Sequence, residues 1–407
     1  MQQYSEYKDS GVQWLGEIPS HWDVKPLKHV ATYNDEVLLE TEKKDRQIKY
    51  IEIGDVNNVS GVKKYTEYEF KDAPSRARRI THKGDVIVST VRTYLKAITS
   101  IEDDGFIVST GFTVLRANKV KKIFLKYYLL SDSFINEVIS LSVGTSYPAI
   151  NSGELVAIKM PVPSACEQEN ISVYLDEVTS KIDKAIAQQQ KMIDLLNERK
   201  QIIINNAVTK GLNPNVKMKD SGVEWIGEIP EHWEVRRLKH IAKLQSGETI
   251  SSDYFTEDGY PVFGGNGFRG FTNRYTNEGD YVLIGRQGAL CGNVNYAYGR
   301  FYASEHAVVV YPYKLENIVW LGEVIRASNL NQYSQSAAQP GLAVSLIQNI
   351  CYPYPPYEER EKIALFIERQ IKAIEDVVKN YQRQIFLLQE RKQIIINDVV
   401  TGKVKVV

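Results

Sequence analysis

The fold of this chain is decided by a stretch of sequence that occurs twice. Residues 8–31 read KDSGVQWLGEIPSHWDVKPLKHVA and residues 219–242 read KDSGVEWIGEIPEHWEVRRLKHIA, with 17 of the 24 positions identical. A second stretch is repeated as ERKQIIINNAVT at 198–209 and ERKQIIINDVVT at 390–401, with 10 of the 12 positions identical. Because the two motifs follow each other in the same order each time, the chain contains two copies of one unit.

The region between the two motifs differs from one copy to the other. The first motif recurs after 211 residues and the second after 192, so the second copy is 19 residues shorter. Residues 32–145 and 243–337 show little resemblance, although both are rich in short β-type runs and Gly turns. A shared frame around two different middles indicates two sites that recognise different things.

The end of each copy has the pattern of a long amphipathic helix. Residues 167–207 contain neither Gly nor Pro, and Pro161 and Pro163 precede them, as Pro353 and Pro355 do in the second copy. Apolar side chains recur every three or four residues, at Ile171, Leu175, Val178, Ile182, Ile186, Ile193, Leu196 and Ile203, and at Ile363, Ile367, Ile371, Ile374, Val378, Tyr381, Ile385, Leu388 and Ile395. A narrow stripe of this length favours pairing of the two helices. The alternative is that each helix packs only on its own domain.

These patterns predict an α+β fold. Two β-rich α/β domains are separated by two long helices, and a two-fold relation between the copies makes the helices an antiparallel coiled coil with pseudo-two-fold symmetry. The predicted boundaries are 1–163 for the first domain, 164–210 for the first helix, 211–355 for the second domain and 356–407 for the second helix.

Bulk composition excludes several classes of protein. The 407 residues are 43% hydrophobic and 25% charged, as in soluble globular proteins. No apolar run of about 18 residues predicts a membrane span, and the polar N-terminus lacks the apolar core of a signal peptide. The three cysteines form no CxxC pair, so we expect neither a disulfide framework nor a zinc site. The expected location is a reducing cytoplasm.

Nucleic-acid binding would have to rely on local charge, because 50 basic and 50 acidic residues give a net charge of +0. Between Lys71 and Lys122 there are 11 Lys or Arg and five Asp or Glu, whereas the second middle is less basic and more aromatic. Lys and Arg suit phosphates, and Arg, Asn and Gln also suit base edges. The predicted DNA contacts are Arg76, Arg78, Arg79, Lys83, Arg92 and Lys96 in the first middle, and Asn266, Arg269, Arg274, Arg286 and Gln287 in the second. The alternative is that the aromatic residues are core and the charges a solvated face.

Short motifs that suggest an enzyme lack the context an enzyme needs. Residues 263–267 read FGGNG, like an S-adenosylmethionine loop, but a turn and strand pattern follows where that loop needs a helix. Residues 354–357 read YPPY, but the catalytic PPY motif of adenine methyltransferases needs Asp, Asn or Ser in place of Tyr354. Glu305-His306 has no second His at metal-ligand spacing, and no GxxxxGK[ST] phosphate loop occurs. We expect no catalytic residue and no metal site.

The chain as a whole resembles the specificity (S) subunits of type I restriction–modification systems, the HsdS family. The block GxxWxGxIPxHWxVxxLKHxA, at 11–31 and 222–242, resembles the start of each target recognition domain in that family. The ERKQIIIN helices at 198–205 and 390–397 resemble its two conserved spacer regions.

The resemblance implies that each domain reads one half of a bipartite target in double-stranded DNA and that the helix pair sets the gap. Two methyltransferase (M) subunits would dock on the chain, and motor-nuclease (R) subunits would join them. S-adenosylmethionine, ATP and Mg²⁺ would belong to those partners, with no cofactor on this non-catalytic, cytoplasmic chain and no membrane involved. The alternatives are a self-contained DNA methyltransferase or nuclease, and a coiled-coil scaffold without DNA.

Overall fold

The protein is described here by a computed structural model that covers residues 2–288, 290–334 and 341–406. The chain divides into two compact units. The first unit is Met1–Gln190 together with Gln382–Val407, and the second unit is Lys191–Tyr381. Each of two long helices therefore contributes one part to each unit.

The first copy of the repeat is a β-rich domain followed by a long helix. Its strands are β1 (Tyr7–Asp9), β2 (Glu17–Pro19), β3 (Asp23–Pro26), β4 (Ala31–Tyr33), β5 (Gln47–Ile51), β6 (Val56–Asn57), β7 (Gly61–Val62), β8 (Thr66–Glu69), β9 (Ala77–Ile80), β10 (Val86–Ser89), β11 (Ile98–Ser100), β12 (Phe106–Ser109), β13 (Phe112–Ala117) and β14 (Lys159–Val162). Its helices are α1 (Lys122–Leu129), α2 (Asp132–Ser140), α3 (Ser152–Leu155) and α4 (Ala165–Lys210).

Two four-stranded sheets form the first domain, in the orders β11-β10-β13-β4 and β8-β5-β12-β9. Side chains alternate between the faces of each strand. Val86 and Leu115 therefore face a core that contains Phe124 of α1, whereas Ile87 and Val114 face a second core on the other side of the same sheet. The sheet is buried on both faces, which explains the continuous apolar run in β10.

The repeated His-Trp pair joins the start of the first domain to a helix N-terminus. Glu167, in the first turn of α4, accepts hydrogen bonds from Trp22 Nε1 at 3.2 Å and from Ser164 Oγ at 2.8 Å, and its Oε1 lies 2.8 Å from His21 Nε2. Trp22 is fully buried. On its other side lies Gly402, where an added Cβ would meet a Trp22 ring carbon at 3.0 Å. The motif is therefore a packing and capping device.

The second copy repeats these elements with a shorter domain. Its strands are β15 (Met218–Asp220), β16 (Glu228–Pro230), β17 (Glu234–Arg237), β18 (Ala242–Ser246), β19 (Tyr260–Gly264), β20 (Gly267–Thr272), β21 (Asn277–Glu278), β22 (Tyr281–Gly285), β23 (Val294–Ala297), β24 (Arg300–Ala303), β25 (Ala307–Pro312) and β26 (Cys351–Tyr354). Its helices are α5 (Ile318–Ala327), α6 (Val344–Ile347) and α7 (Tyr357–Val400).

The two four-stranded sheets of the second domain match those of the first strand for strand, whereas the β6-β7 hairpin has no counterpart among the described residues. The sheets of the second domain have the orders β18-β25-β22-β23 and β20-β19-β24-β21, which are the counterparts of β4-β13-β10-β11 and β8-β5-β12-β9. The His-Trp device also recurs, since Trp233 Nε1 donates to Glu359 at 2.9 Å and His232 Nε2 lies 2.7 Å from the same carboxylate. The predicted duplication of an α+β unit is therefore confirmed.

The two long helices run antiparallel within each unit. In the first unit, Lys392 Nζ donates to Asp183 at 2.7 Å, and Gln189 Nε2 donates to Gln384 at 3.1 Å, so the sequence number rises along one helix as it falls along the other.

In the second unit, Lys200 Nζ donates to Glu375 at 2.7 Å, and Ile204 of α4 shares a core with Ile363 of α7. The alternative in which each helix packs only on its own domain is therefore wrong. The four predicted domain boundaries stay a prediction, since the compact units divide within the helices. No helix in the described part of the chain is long and apolar enough to cross a membrane.

Candidate nucleic-acid interface

A turn between two strands gathers several predicted DNA contacts in the first domain. The turn Thr110-Gly111 joins β12 to β13, and backbone hydrogen bonds tie two neighbours, Arg76 and Thr90, to it. Thr110 N donates to Arg76 O at 2.9 Å, Thr90 N donates to Gly111 O at 2.8 Å, and two residues further Arg92 N donates to Pro148 O at 2.8 Å. We call Arg76, Thr90, Arg92, Thr110 and Gly111 the first corner.

Arg92 and Lys96 carry their charges on strained backbone. Both have left-handed conformations, with φ of 52° and 51°, and they flank one turn of 3-10 helix. The guanidinium of Arg92 stacks over the ring of Tyr147 at 4.6 Å, and 65% of the Tyr147 surface is exposed. A left-handed conformation costs a residue with a Cβ roughly 1–2 kcal/mol, and such strain persists where the surroundings or function require it.

The other basic residues predicted in the first domain lie elsewhere or are partly buried. Arg78, on β9, packs over the Phe70 ring at 5.2 Å. Burial lowers the pKa of Arg79, whose Nη1 is buried without a hydrogen-bond partner among the described residues. Lys83 precedes β10, and its backbone N–H donates to Asp104 at 2.8 Å. It therefore lies at the opposite end of that strand from Arg92.

Asp85, which directly precedes β10, forms a buried ion pair with Arg116. The ion pair, rather than DNA contact, accounts for these two charges. Arg116 donates to both carboxylate oxygens of Asp85, at 3.0 and 2.9 Å, and Asp85 is almost fully buried. Hydrogen bonds to Asp85 and Glu36 raise the pKa of Arg116. This ion pair stabilises the Gly-Asp turn before the central strand.

The equivalent turn of the second domain, Glu305-His306, gathers a different set of side chains. Arg286 N donates to His306 O at 2.9 Å. A Cβ at Gly265 would meet Gln287 O at 3.0 Å and His306 O at 3.4 Å, so the hairpin tip that carries Asn266 lies against the same turn. We call Asn266, Arg286, Gln287, Glu305 and His306 the second corner.

Hydrogen bonds orient the polar side chains of the second corner. Arg286 Nη1 donates to Ser246 Oγ at 3.0 Å, and Asn266 Oδ1 accepts from Asn293 Nδ2 at 2.8 Å. Ser246 ends β18, and β25 lies between β18 and β22 in the sheet. The Arg286 side chain therefore crosses the turn that leads into β25.

The remaining two predicted contacts of the second domain are exposed arginines that stack on aromatic rings. Arg269, on β20, lies 5.7 Å from the centre of the Phe255 ring. Arg274 lies 4.0 Å from the centre of the Tyr254 ring. Such stacking holds a guanidinium in place while its N–H groups stay open to an acceptor.

The two corners place their charges at different positions of one scaffold. Ser89 N donates to Ala97 O at 2.9 Å, and Gly285 N donates to Asn293 O at 2.8 Å, so these two backbone contacts are equivalent. By this correspondence Arg286 matches Thr90, while Arg92 and Lys96 match Gly288 and Gly292, and Glu305-His306 matches Thr110-Gly111. Arg92 follows β10 and Arg286 follows the equivalent strand β22, but the two residues do not occupy equivalent positions.

The motifs set aside as enzyme signals have structural roles. Residues 263–267 form the tip of the β19–β20 hairpin, where Gly264 pairs with Gly267. The guanidinium of Arg360 packs against the rings of Tyr354 and Tyr357 and forms a buried ion pair with Glu316. Burial lowers the pKa of Arg360 to about 10. The described residues also contain no cluster of three or more His, Cys, Asp or Glu that could hold a metal.

Comparison with known proteins identifies the family. The model of the type I restriction modification DNA specificity domain matches residues 19–192 and 230–382. The chain belongs to this family. Among curated members, it is 43% identical over 139 residues to the type I restriction enzyme EcoprrI specificity subunit of Escherichia coli, a match that covers 33% of this chain and 35% of the relative.

A longer match supports the same assignment. The type I restriction enzyme MjaVIII specificity subunit of Methanocaldococcus jannaschii is 26% identical over 335 residues, covering 74% of this chain and 75% of the relative. A solved chain from work on complex assembly and conformational transition of the type I R-M system superposes with a TM-score of 0.71. It is 21% identical over 95% of this chain and 99% of its own length, which shows a shared fold.

Sequence reasoning missed Glu305 and His306 as members of the second corner, and it missed Tyr147, whose ring stacks on Arg92 of the first corner. Glu305-His306 was considered only as a metal site, and Tyr147 was not singled out. The missing signal is the alignment of the two middles, which becomes visible only when the backbone hydrogen bonds show that Glu305-His306 replaces Thr110-Gly111.

Proposed function

We propose that this chain is the DNA sequence-recognition subunit of a type I restriction–modification complex. Each β-rich domain reads one half of a bipartite target in double-stranded DNA, and the paired helices set the spacing between the halves. The observation that carries the proposal is the family match, which covers both copies of the repeat.

The geometry of the two corners supports two different half-sites. The same sheet topology presents Arg92 and Lys96 in the first domain, where the second domain has Gly288 and Gly292. A frame that is kept while its polar side chains change position is suited to reading two different base sequences. A plain scaffold would have no need for this difference.

DNA contact is proposed for all eleven residues predicted from the sequence, with two kinds of role. The exposed lysines and arginines suit phosphate oxygens, which fix the position of the protein on the duplex. Residues held by hydrogen bonds or ring stacking, such as Arg92, Asn266 and Arg286, suit base edges, because base reading needs side chains with a fixed orientation.

We further propose that the chain acts as part of an assembly and is not catalytic by itself. Two methyltransferase subunits dock on the helices and domains, and motor-nuclease subunits join them. S-adenosylmethionine, ATP and Mg²⁺ bind to those partners. The complex works in the cytoplasm, where its DNA lies.

The test is co-expression of the chain with a cognate methyltransferase subunit, followed by single-molecule sequencing of DNA for methyladenine. We expect methylation at a bipartite motif with an unspecified gap. Methylation by the chain alone would favour the self-contained enzyme, and binding of S-adenosylmethionine to the isolated chain would support that reading. No methylation with a folded, bound methyltransferase subunit would favour the scaffold.

A further inference from the structure

The second corner contains polar atoms that the described structure leaves without partners. Among the described residues, Arg286 Nε, Glu305 Oε2 and His306 Nδ1 are buried and have no hydrogen-bond partner. Buried polar groups in folded proteins are nearly always paired, and each unpaired one costs free energy. Three such atoms in one corner mark a polar network that is incomplete among the described residues.

Close backbone contacts at two glycines join the loops around the second corner. A Cβ at Gly285 would lie 1.8 Å from Gly265 O, and one at Gly247 would lie 2.1 Å from Ala303 O. At both positions only glycine fits, because the backbone of another loop lies where a Cβ would be. The Glu305 and His306 side chains remain 33% and 39% exposed, so a ligand outside the chain can reach this corner.

The carboxylate of Glu305 restricts the chemistry of that ligand. Phosphate oxygens repel a carboxylate, so a Glu that faces DNA contacts base edges, where it accepts from an amino group such as cytosine N4. The Glu305 side chain is partly exposed, and each carboxylate oxygen has two lone pairs, so it can accept from such a group while His306 holds it. Beside it, Arg286 keeps N–H groups that Ser246 does not use.

We propose that the second corner reads a G·C base pair in the major groove. Arg286 donates to guanine O6 and N7, and Glu305 accepts from cytosine N4, which is the donor and acceptor pattern that this base pair presents. His306 is a positioning residue, because its Nε2 lies 3.1 Å from Glu305 Oε1 and holds the carboxylate. Ser246 holds Arg286 in the same way. This assignment rests on the proposed function.

A single His beside a single carboxylate is also a fragment of a metal site. Two ligands are too few for a structural or catalytic zinc centre, which needs at least three from the protein, and no larger group of ligands occurs among the described residues. The first corner has Thr110 and Gly111 at the same positions, so the charged pair is specific to the second domain. Base reading explains that difference, whereas a structural role shared by both domains does not.

The experiment uses the complex of the chain with its methyltransferase subunit and a library of targets randomised at each base pair of the second half-site. Wild type should select one G·C pair that E305Q, and separately R286Q, no longer selects, with preference reduced by roughly tenfold. The matched control is E231Q, an exposed glutamate paired with Lys217, which should leave selectivity at every position unchanged. H306F should reduce selectivity at the same base pair, and H306Q, which keeps a donor, should retain more of it.

Two outcomes would overturn the proposal. If E305Q leaves selectivity unchanged at every position, the corner does not read bases. If selectivity is lost at an A·T pair, the G·C assignment is wrong. Failure of the proposed function would show differently, as absence of any bipartite motif with the wild-type complex, and thermal unfolding of each variant separates misfolding from lost recognition.

Discussion

The guanidinium of Arg92 lies 4.6 Å from the centre of the Tyr147 ring, although Arg92 itself has a left-handed backbone with φ of 52°. The equivalent residue in the second domain is Gly288, with φ of 88°. Glycine adopts this conformation without strain. The first domain therefore keeps a charged, stacked side chain at a position where glycine would fit the backbone better.

This relationship predicts that R92G separates stability from recognition. Relief of the left-handed strain offsets the lost ring contact, so the free energy of unfolding should change by less than about 1 kcal/mol. Methylation should become less selective, or slower, through the first half-site alone. Thermal unfolding together with motif sequencing checks both effects. A large loss of stability with unchanged methylation would show that Arg92 is structural.

Phosphate contacts predict a change in salt dependence. R76Q and K96Q should each lower the slope of log affinity against log salt by about 0.9, because each neutralised phosphate releases counterions. The net charge of +0 further predicts that the isolated chain binds DNA more weakly than the complex does. Binding titrations at several salt concentrations measure both quantities. Tight, specific binding by the isolated chain at physiological salt would contradict this account.

The capping role of Glu167 predicts a specific loss of stability. E167A removes the acceptor of the buried Trp22 N–H and should lower the free energy of unfolding by about 1–3 kcal/mol. The matched control is E169A, because Glu169 is exposed and forms a surface ion pair with Lys121 at 2.9 Å. That variant should change stability by less than about 0.5 kcal/mol. Equal effects of the two variants would refute the capping role.

The same carboxylate predicts a pH dependence. Partial burial opposes ionisation of Glu167, but hydrogen bonds from His21, Ser164 and Trp22 outweigh it and lower the pKa below the ordinary value. Because the pKa of Glu167 is lowered in the folded state, its ionised carboxylate contributes stability that is fully present above the unfolded pKa of about 4.3. That contribution is lost as the pH falls through the folded pKa. The stability difference between wild type and E167Q should therefore shrink below about pH 4.3. A difference that grows on acidification would contradict the assignment.

The Arg360–Glu316 pair predicts strong coupling between two substitutions. The side chain of Glu316 is 1% exposed and that of Arg360 is 7% exposed, so R360Q leaves a buried carboxylate without its cation, held only by the Tyr354 hydroxyl at 2.6 Å among the described residues, and should cost about 3–5 kcal/mol. The double variant E316Q/R360Q should recover most of that loss. The first copy has neutral Gln168 at the equivalent position, where it accepts from Lys121 N at 2.8 Å. Additive effects in a denaturation cycle would rule out the coupling.

The frame of this protein could be predicted from sequence because duplication makes it visible twice. The Trp22 and Trp233 motifs and the two helix stripes are shared, and the helices pair, as the stripes indicate, in the antiparallel direction that a two-fold relation between the copies requires. Half of the corner residues are among the predicted DNA contacts, but which residues meet in each corner could not be predicted, because the middles differ in length and show little resemblance. Lys83 and Arg92 are only nine positions apart in the sequence, yet they lie at opposite ends of β10. The strand separates them because each strand residue advances the chain by about 3.3 Å.

The most direct test of the central claim is exchange of one middle region. Residues 32–145 are replaced by the corresponding segment of another family member, the chimaera is co-expressed with the methyltransferase subunit, and methyladenine is mapped by single-molecule sequencing. The account predicts that one half of the bipartite motif changes while the other half and the gap between them stay the same. A change in both halves, or an unchanged motif, would contradict the claim that each domain reads its own half-site.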